Sequence, residues 1–197
     1  MAKAGEQRYV GRGGEKLKFA IDHLSLDLKG AVAADFGCNV GGFTDCLLQE
    51  GARHVCAVDT GYGALDWKLR NDPRVTVMER TNAMHVELPE RVDVVSVDVG
   101  WTRQHRILPS ALRQLAPSGF VLSLFKPQYE AERAQVRRGR LLEGSFEPVL
   151  ESTLALLEQE GIRVREVVRL PRTRDSKNPE AILYVPASDC RPAGSSS

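Results

Sequence analysis

Between about residue 12 and residue 185, apolar runs of strand length alternate with segments whose apolar residues recur at helical spacing. This alternation constrains the fold more than any other feature of the chain. Near-continuous apolar strands need cover on both faces, and a parallel sheet between two helix layers provides it. Residues 31–36, 54–59, 75–79, 92–98 and 120–125 read as strands, followed by two more at 163–169 and 181–185. The spans 14–26, 43–49, 64–70, 106–115 and 146–160 read as helices. Gly51 and Gly161 serve as stops, and Pro117-Ser118-Gly119 reads as a break before the fifth strand. The expected class is therefore α/β: a doubly wound, mostly parallel seven-stranded sheet with helices on both faces.

The expected division is an N-terminal extension at 1–10, one domain at 11–186 and a disordered tail at 187–197. A hydrophobic fraction of 42% in 197 residues can bury a real core. No apolar stretch approaches membrane length, and the first residues lack the apolar segment of a secretory signal. Cys38, Cys46, Cys56 and Cys190 form no C-x-x-C pair, so reduced thiols in a cytoplasmic protein are expected. His23, His54, His85 and His105 are scattered singly, which offers no metal-ligand spacing. A net charge of +1 makes no global case for nucleic acid, yet arginines cluster at 133–140 and 163–177. Such clusters read either as solvated faces or as flanks of a site.

In doubly wound sheets, ligands sit beyond the carboxyl ends of the strands, where strand order reverses. Asp35, Asp59, Asp98 and Lys126 all fall at or just after strand ends. Between the first strand and its helix runs Asp35-Phe36-Gly37-Cys38-Asn39-Val40-Gly41-Gly42-Phe43. Its glycines allow a tight turn and close approach of a ligand. The pattern D-x-G-x-x-x-G-G differs from the G-x-G-x-x-G of dinucleotide binders, which disfavours NAD. Asp59, about 20 residues past the glycines, can accept hydrogen bonds from both hydroxyls of a ribose. Asn82 reads equally as a residue that contacts an adenine edge and as the start of a turn. Lys126, restrained between a buried strand and Pro127, is a candidate base, because partial desolvation favours a neutral amine. Lys16, Asp98 and Glu180 complete a candidate cluster, although each also reads as a surface ion-pair member.

The segments Gly11-Arg12-Gly13-Gly14-Glu15-Lys16-Leu17, Gly41-Gly42-Phe43-Thr44-Asp45 and Val58-Asp59-Thr60-Gly61-Tyr62-Gly63 resemble the haemolysin A (TlyA) branch of the FtsJ-type RNA methyltransferases. Trp67-Lys68-Leu69-Arg70-Asn71-Asp72-Pro73, Glu79-Arg80-Thr81-Asn82, Lys126-Pro127-Gln128-Tyr129-Glu130 and Asn178-Pro179-Glu180 continue the resemblance in order, over roughly residues 9 to 185. It implies a Rossmann-like methyltransferase fold and a Lys-Asp-Lys-Glu tetrad at Lys16, Asp98, Lys126 and Glu180. It also implies S-adenosyl-L-methionine as methyl donor, held near Asp35, Gly37, Gly41, Gly42, Phe43, Asp59, Asn82 and Asp98. The implied substrate is a ribose 2′-hydroxyl of RNA, with ribosomal RNA or a ribosomal subunit as partner and no membrane. In that scheme Lys126 takes the hydroxyl proton, Asp98 and Lys16 position the nucleophile and stabilise charge, and Glu180 holds a lysine.

The chain departs from that pattern in three ways. Cys38-Asn39-Val40 is a bulkier turn beside the expected cofactor, Gly100-Trp101 follows the catalytic-strand aspartate, and only about ten residues precede the first helix, where relatives carry an S4-type RNA-binding domain. Two other functions stay open on the residues: an O-methyltransferase for a small metabolite, and a non-catalytic RNA-binding or assembly factor that keeps the fold.

Overall fold

The computed structural model describes residues 8–173 and 176–190. In chain order its elements are α1 (Gly13–His23), β1 (Val32–Phe36), α2 (Gly42–Gln49), β2 (His54–Val58), α3 (Trp67–Arg70), β3 (Val75–Met78) and β4 (Val92–Val97). Next come α4 (Gln104–Gln114), β5 (Leu115–Phe125), α5 (Pro127–Glu130) and a small hairpin of β6 (Val136–Arg137) and β7 (Arg140–Leu141). The chain continues with α6 (Phe146–Gln159), β8 (Glu166–Arg169) and β9 (Ala181–Pro186).

The main sheet has the order β3-β2-β1-β4-β5-β9-β8. The first five strands pair in parallel, whereas β9 lies antiparallel between β5 and β8. This is the doubly wound, mostly parallel seven-stranded sheet expected from the sequence. The chain winds outward from β1 to β3 and then returns to set β4 on the other side of β1. That reversal opens a crevice at the carboxyl ends of β1 and β4.

Successive strand side chains point to opposite faces, so each strand feeds two cores. Val32, Ala34 and Phe36 pack with Ile107, Leu108 and Ala111 of α4 and Leu157 of α6. Ala33 joins the opposite core, with Leu17 and Ile21 of α1 and Leu47 and Leu48 of α2. Full burial of each large apolar side chain contributes about 1.5–3 kcal/mol. In α1 the buried residues Gly14, Leu17, Ala20 and Ile21 share one face, and Lys16 stands beside that stripe.

Tyr9 is buried and the Val10 amide donates to Asp45 Oδ2 at 2.9 Å, so the packed unit begins before residue 11. At the other end, Ala187–Asp189 is not disordered. It forms a 3-10 turn, and Arg165 grips Asp189 with two hydrogen bonds of 2.7 and 2.6 Å. The rest of the expected tail, 191–197, lies outside the described residues. Strand β5 also begins earlier than expected. Leu115 already pairs with Val92, and the register then slips, so Pro117-Ser118-Gly119 interrupts a strand rather than preceding it. Among the described residues, no helix is long and apolar enough to cross a membrane.

Candidate active site

The glycine turn that follows β1 is shaped by close approach. Gly37 has φ +83°, and a Cβ there would lie 2.6 Å from the Asp98 carbonyl oxygen. Only a glycine lets the ends of β1 and β4 come this near. Gly41 precedes α2 with φ +99°, and its Cβ would lie 2.3 Å from Leu69 Cδ1. The turn is tied to β2, because the amides of Gly37 and Cys38 both donate to the Val58 carbonyl, at 2.8 and 3.1 Å.

Cys38 points into the core, so it adds no bulk to the crevice. Burial, reinforced by the charges of Asp35 and Asp59, pushes its thiol up and keeps it neutral. Asn39 and Val40 instead face solvent. Gly42 packs against the Gly11 carbonyl, and the Phe43 ring lies in the core beneath Gly13. Gly42 has no side chain and that of Phe43 is buried, so both present only backbone at the start of α2.

Asp35 does not line the crevice either. It is fully buried, its Oδ2 accepting from the Thr44 amide at 2.9 Å and the Thr44 hydroxyl at 2.7 Å. Its Oδ1 accepts from the Ser96 hydroxyl at 2.9 Å. One carboxylate thus joins α2 to β4 beneath the turn. Burial pushes this acid up to about 6, against the lowering effect of the Thr44 and Ser96 hydrogen bonds. A raised value means that the folded chain holds the proton more tightly than the unfolded chain. The associated stability is complete below about pH 4 and is lost as pH rises through 6. Urea unfolding of the wild type and of Asp35→Asn, compared from pH 4 to pH 7, should show the difference moving against the wild type by about 2–3 kcal/mol. A difference that stays flat across that range would contradict this account.

Asp59 stands at the end of β2, partly exposed. Its Oδ2 accepts from the Asn39 amide at 2.8 Å and its Oδ1 from the Gly61 amide at 2.7 Å. A carboxylate offers about four acceptor positions, so capacity remains for two hydroxyls. The following loop is clamped by Glu79, which accepts from the Gly63 amide at 2.7 Å and pairs with Arg70. The Arg70 guanidinium holds this carboxyl below its usual range. Asn82 is exposed, and its Oδ1 accepts from the Met84 amide at 3.0 Å. This bond starts a turn and leaves the rest of the exposed side-chain amide open to a ligand.

The four tetrad positions form two pairs on one rim. Lys126 Nζ hydrogen-bonds Asp98 Oδ1, and Lys16 Nζ lies 2.5 Å from Glu180 Oε2. The first pair follows from adjacent strands, since β4 and β5 run parallel and both end at the crevice. The second depends on the inserted strand. The ladder between β5 and β9 pairs Phe125 with Ala181, so Lys126 and Glu180 are the next residues on facing strands. Lys16 arrives from α1, which packs along α2. All four side chains are partly buried, as a site that must hold charge yet admit a ligand requires.

Trp101, three residues after Asp98, is 86% exposed with φ +64°, and its ring lies 5.0 Å from that of Tyr129, three residues after Lys126. The two arginine clusters differ. In the second, Arg165 binds Asp189 and Arg169 binds Glu147, while Arg174 lies outside the described residues. In the first, Arg133, Arg137, Arg138 and Arg140 are all exposed, and none has an ion pair among the described residues. Sequence reasoning did not single out Asn178 or Glu79 as site residues. Neither carries a spacing signal, because their partners are distant in the chain.

The sheet, its reversal at β1 and the glycine turn define a Rossmann-like methyltransferase fold. The model of the FtsJ-like methyltransferase family matches residues 9–184, and the chain belongs to this family. It is 35% identical to YqxC of Bacillus subtilis, provisionally named an rRNA methyltransferase, over 93% of this chain and 67% of that protein. It is 41% identical to the 16S/23S rRNA (cytidine-2'-O)-methyltransferase TlyA of Mycobacterium tuberculosis, over 68% of this chain and 51% of that protein. A solved structure from Streptococcus thermophilus, provisionally called a hemolysin, superposes with TM-score 0.87 at 36% identity, covering 95% of this chain and 70% of that one. The chain thus spans about half to two thirds of the length of these curated relatives.

Proposed function

We propose that this chain transfers a methyl group from S-adenosyl-L-methionine to a ribose 2′-hydroxyl of ribosomal RNA. The observation that carries the reading is the pair of lysine–carboxylate contacts, Lys126–Asp98 and Lys16–Glu180, on the rim next to the glycine turn. The turn fits the cofactor. Gly37 and Gly41 are packed against Asp98 and Leu69, so the turn offers a cofactor backbone, and Asp59 beside it has free acceptor capacity for the ribose. When bound, S-adenosyl-L-methionine supplies a methyl group already activated by its positively charged sulfur.

The chain's own residues then have little bond-making to do, and orientation carries much of the rate. Lys126 Nζ, oriented by Asp98, takes the proton of the 2′-hydroxyl as the neutral amine and becomes the ammonium paired with the Asp98 carboxylate. Lys16, anchored by Glu180, adds positive charge on the same rim, which favours the oxygen as it loses that proton. The exposed Trp101 ring, backed by the partly buried Tyr129, offers an aromatic face suited to a nucleobase, which favours RNA over a small hydroxylated metabolite.

Titration calorimetry with S-adenosyl-L-methionine and S-adenosyl-L-homocysteine tests the cofactor half of the reading. Asp59→Ala removes the ribose acceptor and should weaken binding by roughly tenfold to hundredfold, since each charged hydrogen bond is worth about 1.5–3 kcal/mol. Transfer of labelled methyl to ribosomal RNA and to ribosomal subunits tests the substrate half. No cofactor binding by the intact protein would leave a non-catalytic RNA-binding role. Cofactor binding without methylation of any RNA would turn the reading to a small-molecule acceptor.

A further inference from the structure

We propose that the β6–β7 hairpin is an RNA-docking arm whose turn arginines bind phosphates, and that Asn178 fixes this arm against the catalytic rim. The proposal rests on the reading of the chain as an RNA methyltransferase. Its first support is uncompensated charge. The hairpin register sets Arg137 directly opposite Arg140, with Arg138 and Gly139 as the two-residue turn between them. Like charges directly opposite on paired strands destabilise a hairpin. Among the described residues no carboxylate pairs with any of the three, whereas Arg165 and Arg169 each bind one. A phosphate backbone provides the missing counter-charge, and arginine suits it because the guanidinium fork binds two oxygens at once.

The second support is backbone strain. Arg138 has φ +51° and Gly139 φ +73°, the left-handed pair of a tight hairpin turn. Glycine or asparagine would adopt the first position at lower cost. An arginine there is a charge placed at the hairpin tip against local preference.

The third support is the clasp. Asn178 is 7% exposed, its Oδ1 accepting from the Leu141 amide at 2.8 Å and its Nδ2 donating to the Gly139 carbonyl at 3.0 Å. Two residues later stands Glu180, the partner of Lys16. A buried side chain therefore links the hairpin backbone to the segment that completes the lysine pairs. Phosphates held at the tip would lie in fixed register with the rim. The arm would then help select which hydroxyl reaches Lys126, with Asn178 as a positioning residue.

The test uses anisotropy of a fluorescein-labelled single-stranded RNA oligonucleotide, titrated without cofactor over a series of salt concentrations. Replacing Arg137, Arg138 and Arg140 together by Gln should lower the slope of log affinity against log salt by about 2, at roughly 0.7 for each phosphate no longer neutralised. Arg138→Gly should lower it by about 0.7 while raising the thermal midpoint, a combination that misfolding cannot produce. Asn178→Ala keeps every charge, so its slope should match the wild type. Its KM for methylation of deproteinised ribosomal RNA should rise on the order of tenfold with little change in kcat. An unchanged slope in the triple variant, or no RNA binding by the intact protein, would overturn the docking arm. Failure of the intact protein to methylate any RNA would instead refute the proposed function, since the binding series judges the hairpin independently.

Discussion

Lys126→Ala is expected to lower kcat for methyl transfer to ribosomal RNA by about 10²–10⁴-fold, the range a positioned base contributes. Cofactor binding should change little, because β1 and β4 separate Lys126, at the end of β5, from Asp59 at the end of β2. The partner variant sharpens the result. Asp98→Asn keeps the size of the side chain but removes the charge that holds Lys126 Nζ, so it should lose part of the rate and not all of it. Single-turnover rates with the cofactor in excess separate this loss from weakened binding. A Lys126→Ala protein that methylates RNA at the wild-type rate would remove the lysine from the chemistry.

Gly37→Ala should destabilise the protein severely for the addition of a single methyl group. The new Cβ meets the Asp98 carbonyl oxygen at 2.6 Å, and the residue sits at φ +83°. The clash is with backbone, so no rotamer change relieves it. Strain and overpacking together cost about 3–5 kcal/mol, which for a chain of this size lowers the melting midpoint by roughly 10 °C. Whatever relief occurs must move the end of β4, and Asp98 moves with it. Cofactor affinity and methyl transfer should therefore fall along with stability. Gly100→Ala is the matched control. It lies two residues beyond Asp98 and has open space around it, so its melting midpoint should stay within about 1–2 °C of the wild type. Equal effects at the two positions would refute the close-approach argument.

The parts of this molecule that were legible in the sequence are those set by local pattern. Each parallel strand is an apolar run that ends where it leaves the sheet, which is why Asp59, Asp98 and Lys126 could be placed on one rim before any pairing was known. The direction of side chains within the glycine turn was not legible. Asp35 and Phe43 share the segment with Gly37 and Gly41, yet both turn inward, one to tie Thr44 to Ser96 and the other to fill the core. The meeting of Lys16 with Glu180 lay beyond local pattern for a different reason. It depends on β9 entering antiparallel between β5 and β8, a choice of tertiary arrangement that no local spacing encodes. The hairpin escaped notice because Arg138 occupies a turn position where glycine or asparagine would have signalled it, and the flanking residues do not alternate in polarity.

The insertion of β9 also bears on when the molecule becomes competent. Its strand is the last of the sheet in the chain, yet it takes an interior place beside β5 and brings Glu180 to Lys16 in the first helix. Contacts between such distant segments close the longest loop and form late in folding. During synthesis the glycine turn, Asp59 and the Lys126–Asp98 pair can all be in place while Glu180 is still inside the ribosome. A nascent chain can thus assemble the glycine turn and Asp59 well before Glu180 meets Lys16, so on the proposed mechanism competence arrives only with the final strand.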